Sequence, residues 1–238
     1  MPETAFKLEY SVDGYDKDGV TAVIVAGGSS SRMGGTDKML ADLDGRCVLW
    51  HTVNAFENHP DISAIIVVAS ESNMNAVQNA CEGFSKITDI TLGGKDRAHS
   101  AKNGFSLVRT KYVLVQDGAR PLVTKEVIDR VIAGLRSSDA CAAAVPVKDT
   151  VKRVDSDGYV AETLCRDTLV AMQTPQGFLS SVYKTALETA EDISAFTDDC
   201  ALVESAGVTV KCVKGDHANI KITTAEDLIL ARALLKGE

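Results

Sequence analysis

The chain has 238 residues, 45% of them hydrophobic and 24% charged, with a net charge of −8. That apolar content over that length fills the core of one large domain, and the acidic balance argues against a general nucleic-acid or membrane-surface binder. A small anionic ligand stays open, because one site needs only local positive charge. The six cysteines (Cys47, Cys81, Cys141, Cys165, Cys200, Cys212) form no CxxC pair and no zinc-like spacing, and the four histidines show no HxxxH pairing. Reduced thiols, mostly small core residues, are expected, and a histidine metal cluster is not.

In chain order, the acidic start "MPETAFKLEYSVDGYDKDG" lacks the apolar centre of a signal peptide. No run is long enough to span a membrane, so a cytoplasmic location is expected. Residues 1 to about 18 read as an N-terminal extension, poorly ordered or added as an edge strand, and 19–238 as a single domain. Apolar β-rich runs follow: "VTAVIVA" (20–26), "SAIIVVAS" (63–70), "YVLVQD" (112–117), "ACAAAVPV" (140–147) and "VTVKCV" (208–213). Most are continuous rather than alternating, as strands buried on both faces are. Helical patterns lie between them, at Val48 to Glu57, Met74 to Cys81, Ala98 to Val108 and Lys125 to Leu135. The alternation predicts an α/β fold, a Rossmann-like, mostly parallel twisted sheet flanked by helices.

The stretch 148–178 breaks this rhythm. It alternates polar and apolar residues around Asp157-Gly158, a hairpin-turn signal, and predicts a protruding β-arm at about 148–172. An arm with exposed edges needs a partner, which suggests a homodimer. Thr223 with Glu226 predicts a capping box at the start of the last helix.

The most unusual segment is "AGGSSSRMGGTDKML" (26–40), which follows the first strand. Ligands of a parallel α/β sheet bind beyond the C-terminal strand ends, where this loop falls. Gly27 and Gly28 permit unusual backbone angles and close approach, serine hydroxyls and N–H groups can cradle phosphates, and Arg32 and Lys38 add positive charge. Neither GxxxxGK[ST] nor GxGxxG is present, so the loop is neither a Walker loop nor a dinucleotide fingerprint. A solvated Gly/Ser turn is the alternative. In "QDGARP" (116–121), Asp117 ends a strand and could hold Mg²⁺ or cap a turn.

The loop resembles the signature of GT-A-like nucleotidyltransferases. With "GGKDRAHS" (93–100), "QDGARP", "KDTVKR" (148–153), "QTPQGF" (173–178), "TDDCALVE" (197–204) and "NIKITTAEDL" (219–228), residues about 20 to 236 resemble the 2-C-methyl-D-erythritol 4-phosphate cytidylyltransferase family. The resemblance implies transfer of CMP from CTP to that polyol phosphate in isoprenoid precursor synthesis, with a divalent cation such as Mg²⁺, in a homodimer. It implies that Ala26, Gly27, Gly28, Gly94, Arg97, Ser100 and Asp117 bind the nucleotide, Asp117 also carrying the metal. Arg32 and Lys38 would stabilise charge at the α-phosphate. Arg166 and Lys221 would position the acceptor, with Thr150, Thr174 and Thr197 adding contacts, and Arg166 would enter a partner's site from the arm. Where family members often carry an acidic residue after the glycine pair, this chain has Lys95, and Asp37 precedes Lys38 where a proline is usual. Ribitol-5-phosphate cytidylyltransferase, which shares most of these motifs, is the alternative enzyme. A nucleotide-binding protein without catalysis is the alternative of another class.

Overall fold

The computed structural model describes residues 16–27 and 37–237. Gly28 and Arg32, both assigned to the nucleotide loop above, lie outside the described residues, as does the extension as far as residue 15.

One seven-stranded sheet organises the chain. Its strands are β1 (Asp16–Val25), β4 (Ala64–Ala69), β5 (Ile87–Leu92), β6 (Thr110–Asp117), β7 (Ala140–Pro146), β10 (Val170–Leu179) and β11 (Val210–Lys214). Two short ribbons, β2 (Asp42–Leu43) with β3 (Arg46–Cys47) and β8 (Lys152–Val154) with β9 (Val160–Thr163), stand apart. The order across the sheet is β11-β7-β10-β6-β1-β4-β5. β1 runs parallel to β4 and β6, β4 to β5 and β7 to β11, and β10 alone runs against its neighbours β6 and β7.

Both faces are covered. From β1, Ala22 and Ile24 meet α1 (Val48–Glu57), α2 (Met74–Ala80) and α4 (Lys125–Leu135) through Leu49, Phe56, Val77 and Val131. Val23 and Val25 point the other way, toward α3 (Arg97–Phe105), α5 (Ser180–Thr189) and α6 (Asp199–Ser205), with Phe105, Tyr183 and Val203. Period-2 side-chain alternation with apolar residues at both parities is what makes such a strand read as a continuous apolar run. A third cluster, Leu43, Val48 and Ile222, seats α7 (Ala225–Lys236).

Two expectations need correcting. The stretch after residue 169 is not arm: β10 sits in the middle of the sheet, Gln176 opposite Val115 on one side and Ala142 on the other. Its polar residues face hydrogen-bond partners rather than water, and alternation therefore misread it as a surface strand. Gly177 marks the burial, because a Cβ there would stand 2.8 Å from Leu114 and Leu135 and 2.9 Å from Val131. The arm proper, β8 with β9, turns at Gly158 with φ 86° as predicted, and every residue of both strands is exposed. The capping box lies one residue later than read: Thr224 accepts from Asp227 N, and the Asp227 carboxylate accepts from Thr224 N. Of the six free cysteines, Cys81, Cys141 and Cys200 are buried, Cys47 is half-buried, and Cys165 and Cys212 are exposed. Trp50 is half-buried beneath the Arg46 guanidinium, 5.0 Å from its ring. No helix among the described residues is long and apolar enough to cross a membrane.

Candidate active site

A cleft of about 440 Å³ opens beyond the C-terminal ends of β1 and β6, lined in part by Gly27, Lys38, Gly94, Arg97, Asp117 and Lys221. Strand register puts these residues together. Val25 lies opposite both Asp117 and Val68, so β1, β4 and β6 end in step. Ala26 N donates to Val68 O at 2.7 Å and Gly118 N to Val25 O at 2.9 Å, closing the strand ends. Gly27 does not have a positive φ, contrary to the first expectation. It is needed for packing, since a Cβ would lie 3.2 Å from the backbone of Ala69 and Ser70. A Cβ at Gly94 would collide with His99.

The departure at Asp37 has a structural use. Its carboxylate accepts from Met39 N at 2.9 Å and from Asn73 Nδ2 at 2.7 Å, and the same amide donates to Ala26 O at 3.0 Å. Asp37 thus ties the return of the loop to the end of β1, next to Lys38 in the cleft wall.

Asp117 is the centre of charge. Only 7% exposed, it accepts from Arg97 Nε at 3.0 Å and Lys221 Nζ at 2.8 Å, with Arg120 Nε at 3.7 Å. Burial by itself would raise its pKa; Arg97 first, then Lys221 and Arg120, reverse that and hold the carboxyl well below the usual range. Each cation arrives from a different element. Arg97 opens α3, capped by Asp96, whose side chain accepts from His99 N. Arg120 Nη1 donates to Asn219 O at 2.7 Å, Asn219 Nδ2 to Thr174 O at 2.9 Å, and Ile222 N to Ala119 O at 2.8 Å. These bonds stitch the "NIK" segment onto "QDGARP" and deliver Lys221 to Asp117. Read in isolation, Lys221 resembles a solvated surface lysine; its partner is 104 positions away. Ser100 is buried in the first turns of α3, where its hydroxyl accepts from Gly94 N at 3.1 Å and donates to Asp96 O at 2.7 Å.

Eight of the expected residues therefore meet at one place: Ala26 and Gly27 at the strand end, with Lys38, Gly94, Arg97, Ser100, Asp117 and Lys221. Thr174 lies beneath, buried, its hydroxyl accepting from Asp117 N at 3.1 Å. Thr150, Arg166 and Thr197 are exposed and do not line the cleft of this single chain; Arg166 Nη1 donates to Lys148 O at 3.0 Å at the foot of the arm. Motif reading passed over Asp199 and Tyr183. The only signal for Asp199 was the doubled aspartate of "TDDC", and nothing in it says which carboxylate faces inward.

Asp117 is the cleft carboxylate that could hold a divalent cation. Magnesium usually takes one or two carboxylates and completes its shell with water and substrate phosphate, and a donor set with one strongly ionised carboxylate among phosphate-binding cations fits that pattern. The other carboxylate in the cleft wall, Asp96, is already engaged by His99 N, His99 Nδ1 and Ser194 Oγ. A second group, His59, Asp61 and Asp129, has ligand atoms close enough for a metal. It lies at the opposite end of the strands from the cleft, where Ser63 N bonds Val20 O in the first half of β1. There His59 Nδ1 accepts from Asp61 N, so Nε2 carries the proton and donates to Asp129 at 3.0 Å; both ring nitrogens are satisfied without an ion.

A parallel sheet that ends in a glycine-walled, cation-rich cleft around one carboxylate defines a nucleotide- or phosphate-handling α/β protein. Comparison with known proteins narrows the class. Residues 20–237 match the family model described as IspD, 2-C-methyl-D-erythritol 4-phosphate cytidylyltransferase. A 2-C-methyl-D-erythritol 4-phosphate cytidylyltransferase of Alkaliphilus metalliredigens is 43% identical over 223 residues, covering 91% of this chain and 92% of that one. One of Bacillus velezensis is 42% identical over 222 residues, covering 91% and 95%. Among solved structures, the 4-diphosphocytidyl-2C-methyl-D-erythritol synthase of Anaerococcus prevotii superposes with a TM-score of 0.82 at 32% identity, covering 93% of this chain and all of that one. The chain belongs to the 2-C-methyl-D-erythritol 4-phosphate cytidylyltransferase family.

Proposed function

We propose that the chain transfers CMP from CTP to 2-C-methyl-D-erythritol 4-phosphate, releasing pyrophosphate, as a cytoplasmic enzyme of isoprenoid precursor synthesis. The observation that carries this reading, beside family membership, is the cleft itself: one buried carboxylate held by Arg97 and Lys221 within a wall that also contains Lys38.

An oxygen of the acceptor phosphate attacks the α-phosphorus of CTP in line, and the pyrophosphate leaves. The nucleophile is already an anion, so no general base is needed; positioning and charge neutralisation carry the rate. Backbone at Ala26, Gly27 and Gly94 lets the nucleotide lie against the strand ends. Arg97 and Ser100 fix the nucleotide side. Lys38, with Arg32 of the same loop, meets the charge that develops at the α-phosphate. Lys221 orients the acceptor phosphate. Asp117 would hold a divalent cation such as Mg²⁺, which when bound would neutralise further phosphate charge.

The arm completes the reading as a dimerisation element. Val154, Tyr159 and Val160 are 55%, 74% and 60% exposed on the ribbon, and two copies exchanging arms would bury them and bring Arg166, with Thr150 or Thr197, toward acceptor pockets. Sedimentation of the purified protein should give twice the chain mass.

Pyrophosphate release from CTP with Mg²⁺, compared between 2-C-methyl-D-erythritol 4-phosphate and D-ribitol 5-phosphate at equal concentration, tests the reaction. Turnover with the first alone is expected. Turnover with the second alone overturns the acceptor, and CTP binding with no turnover on either overturns the enzyme. In the same assay Lys38→Ala is expected to lower kcat about a hundredfold while changing the KM for CTP little, because its contact tightens in the transition state.

A further inference from the structure

Behind the cleft lies a polar network that holds Arg97. Arg97 spans two carboxylates, with Nε on Asp117 at 3.0 Å and Nη1 on Asp199 Oδ2 at 2.7 Å. Asp199 is 3% exposed at the start of α6, and its other oxygen accepts from the Tyr183 hydroxyl at 2.6 Å. Tyr183 is itself fixed, stacked on Phe178 and edge-on to Phe105, each with ring centroids 4.9 Å apart. The N–H groups of Asp199 and Cys200 donate to Gln176 Oε1 at 3.1 and 3.2 Å, and Gln176 Nε2 donates to Asp198 at 2.8 Å. Gln176 stands on β10 opposite Val115, two residues before Asp117. Asp199 is therefore anchored by Tyr183 and Gln176, and its remaining oxygen is given to Arg97.

A guanidinium facing a lone carboxylate favours the bidentate, fork-to-fork arrangement. Here that arrangement is not taken. Asp199 draws Nη1 away, Asp117 receives Nε alone, and Nη2 donates to no acceptor among the described residues. We propose that Asp199 is a positioning residue: it splays Arg97 so that one guanidinium nitrogen stays available to the anionic part of the nucleotide and Asp117 is not closed off by a bidentate pair. The inference rests on the nucleotide-binding reading of the cleft, but not on the identity of the acceptor.

Two quantities test it in the intact protein, the Kd for CTP without acceptor and kcat/KM with it, in a double-mutant cycle of Asp199→Asn and Arg97→Ala. Asparagine keeps an oxygen for the Tyr183 hydroxyl and removes the charge that holds Arg97. If Asp199 acts through Arg97, Asp199→Asn weakens CTP binding about tenfold and lowers kcat/KM about a hundredfold in the parent, and changes each less than twofold once Arg97 is alanine. Equal losses in both backgrounds, or unchanged CTP binding in Asp199→Asn, overturn the proposal and leave Asp199 a fold residue. Tyr183→Phe covers the case in which Asp199→Asn does not fold; a smaller loss of CTP affinity that vanishes with Arg97→Ala is expected, and one that persists overturns the proposal. Failure of turnover on either acceptor with CTP affinity intact would overturn the enzyme reading, and the Kd cycle would still decide Asp199.

Discussion

The cleft and the arm use the same kinds of side chain to opposite effect. Arg97 and Asp199 make a 2.7 Å pair at 27% and 3% side-chain exposure, and both partners are anchored by further bonds. Arg153 and Glu162 make a 3.3 Å pair across the β8–β9 ribbon at 68% and 51% exposure. Coulomb attraction grows as solvent is excluded, and so does the cost of leaving one partner alone. Charge in the cleft is therefore organised by the framework beneath it, whereas the charge pair on the arm lies in solvent.

Breaking the contrast should give effects that fall away from the sheet outward. Asp117→Asn removes the one carboxylate shared by Arg97 and Lys221 and is expected to cut kcat/KM by a hundredfold or more, read in the pyrophosphate assay. Gly177→Val overpacks the contact between β10 and α4 and should destabilise the protein by about 1–3 kcal/mol, measured by urea unfolding at constant m-value. Arg166→Ala, on the arm, should raise the KM for the acceptor phosphate about tenfold with CTP affinity unchanged. Mixing it with a cleft-dead Lys38→Ala chain should restore part of the activity if the arms exchange.

A pH series sharpens the same comparison. The Asp117 pKa is depressed in the fold, so its stabilisation is complete above the unfolded value of about 4 and is lost as pH falls through the lower folded one. Between pH 5 and pH 2 the parent should lose more stability than Asp117→Asn does. Arg153→Ala should be the mildest change, within about 0.5 kcal/mol of the parent, because exposed pairs contribute little. A larger loss in dilute, monomeric protein would mean that the arm packs on its own chain after all.

The glycine-bearing loop, "QDGARP" and "NIK" were legible as site segments because each has a residue type that phosphate chemistry needs at a strand end or a turn. Asp199 and Gln176 were not, since a polar residue aimed into a protein and one aimed at water look alike until the surrounding strands are in place. The same blindness carried the arm on to residue 172, into the start of β10. Thr150, Arg166 and Thr197 were chosen by resemblance, and one chain does not gather them at the cleft.

The sequence by itself determined the alternation of apolar strands and amphipathic helices, the hairpin at Asp157-Gly158 and the family, because these depend on local periodicity, turn chemistry and motif order. Only the tertiary structure decided that β10 runs backward inside the sheet, that Lys221 and Arg97 share one buried carboxylate, and that Arg97 also pairs with Asp199. Those are facts about contacts between residues 20 to 104 positions apart, and their energies arise from burial that exists only once the sheet has closed over them.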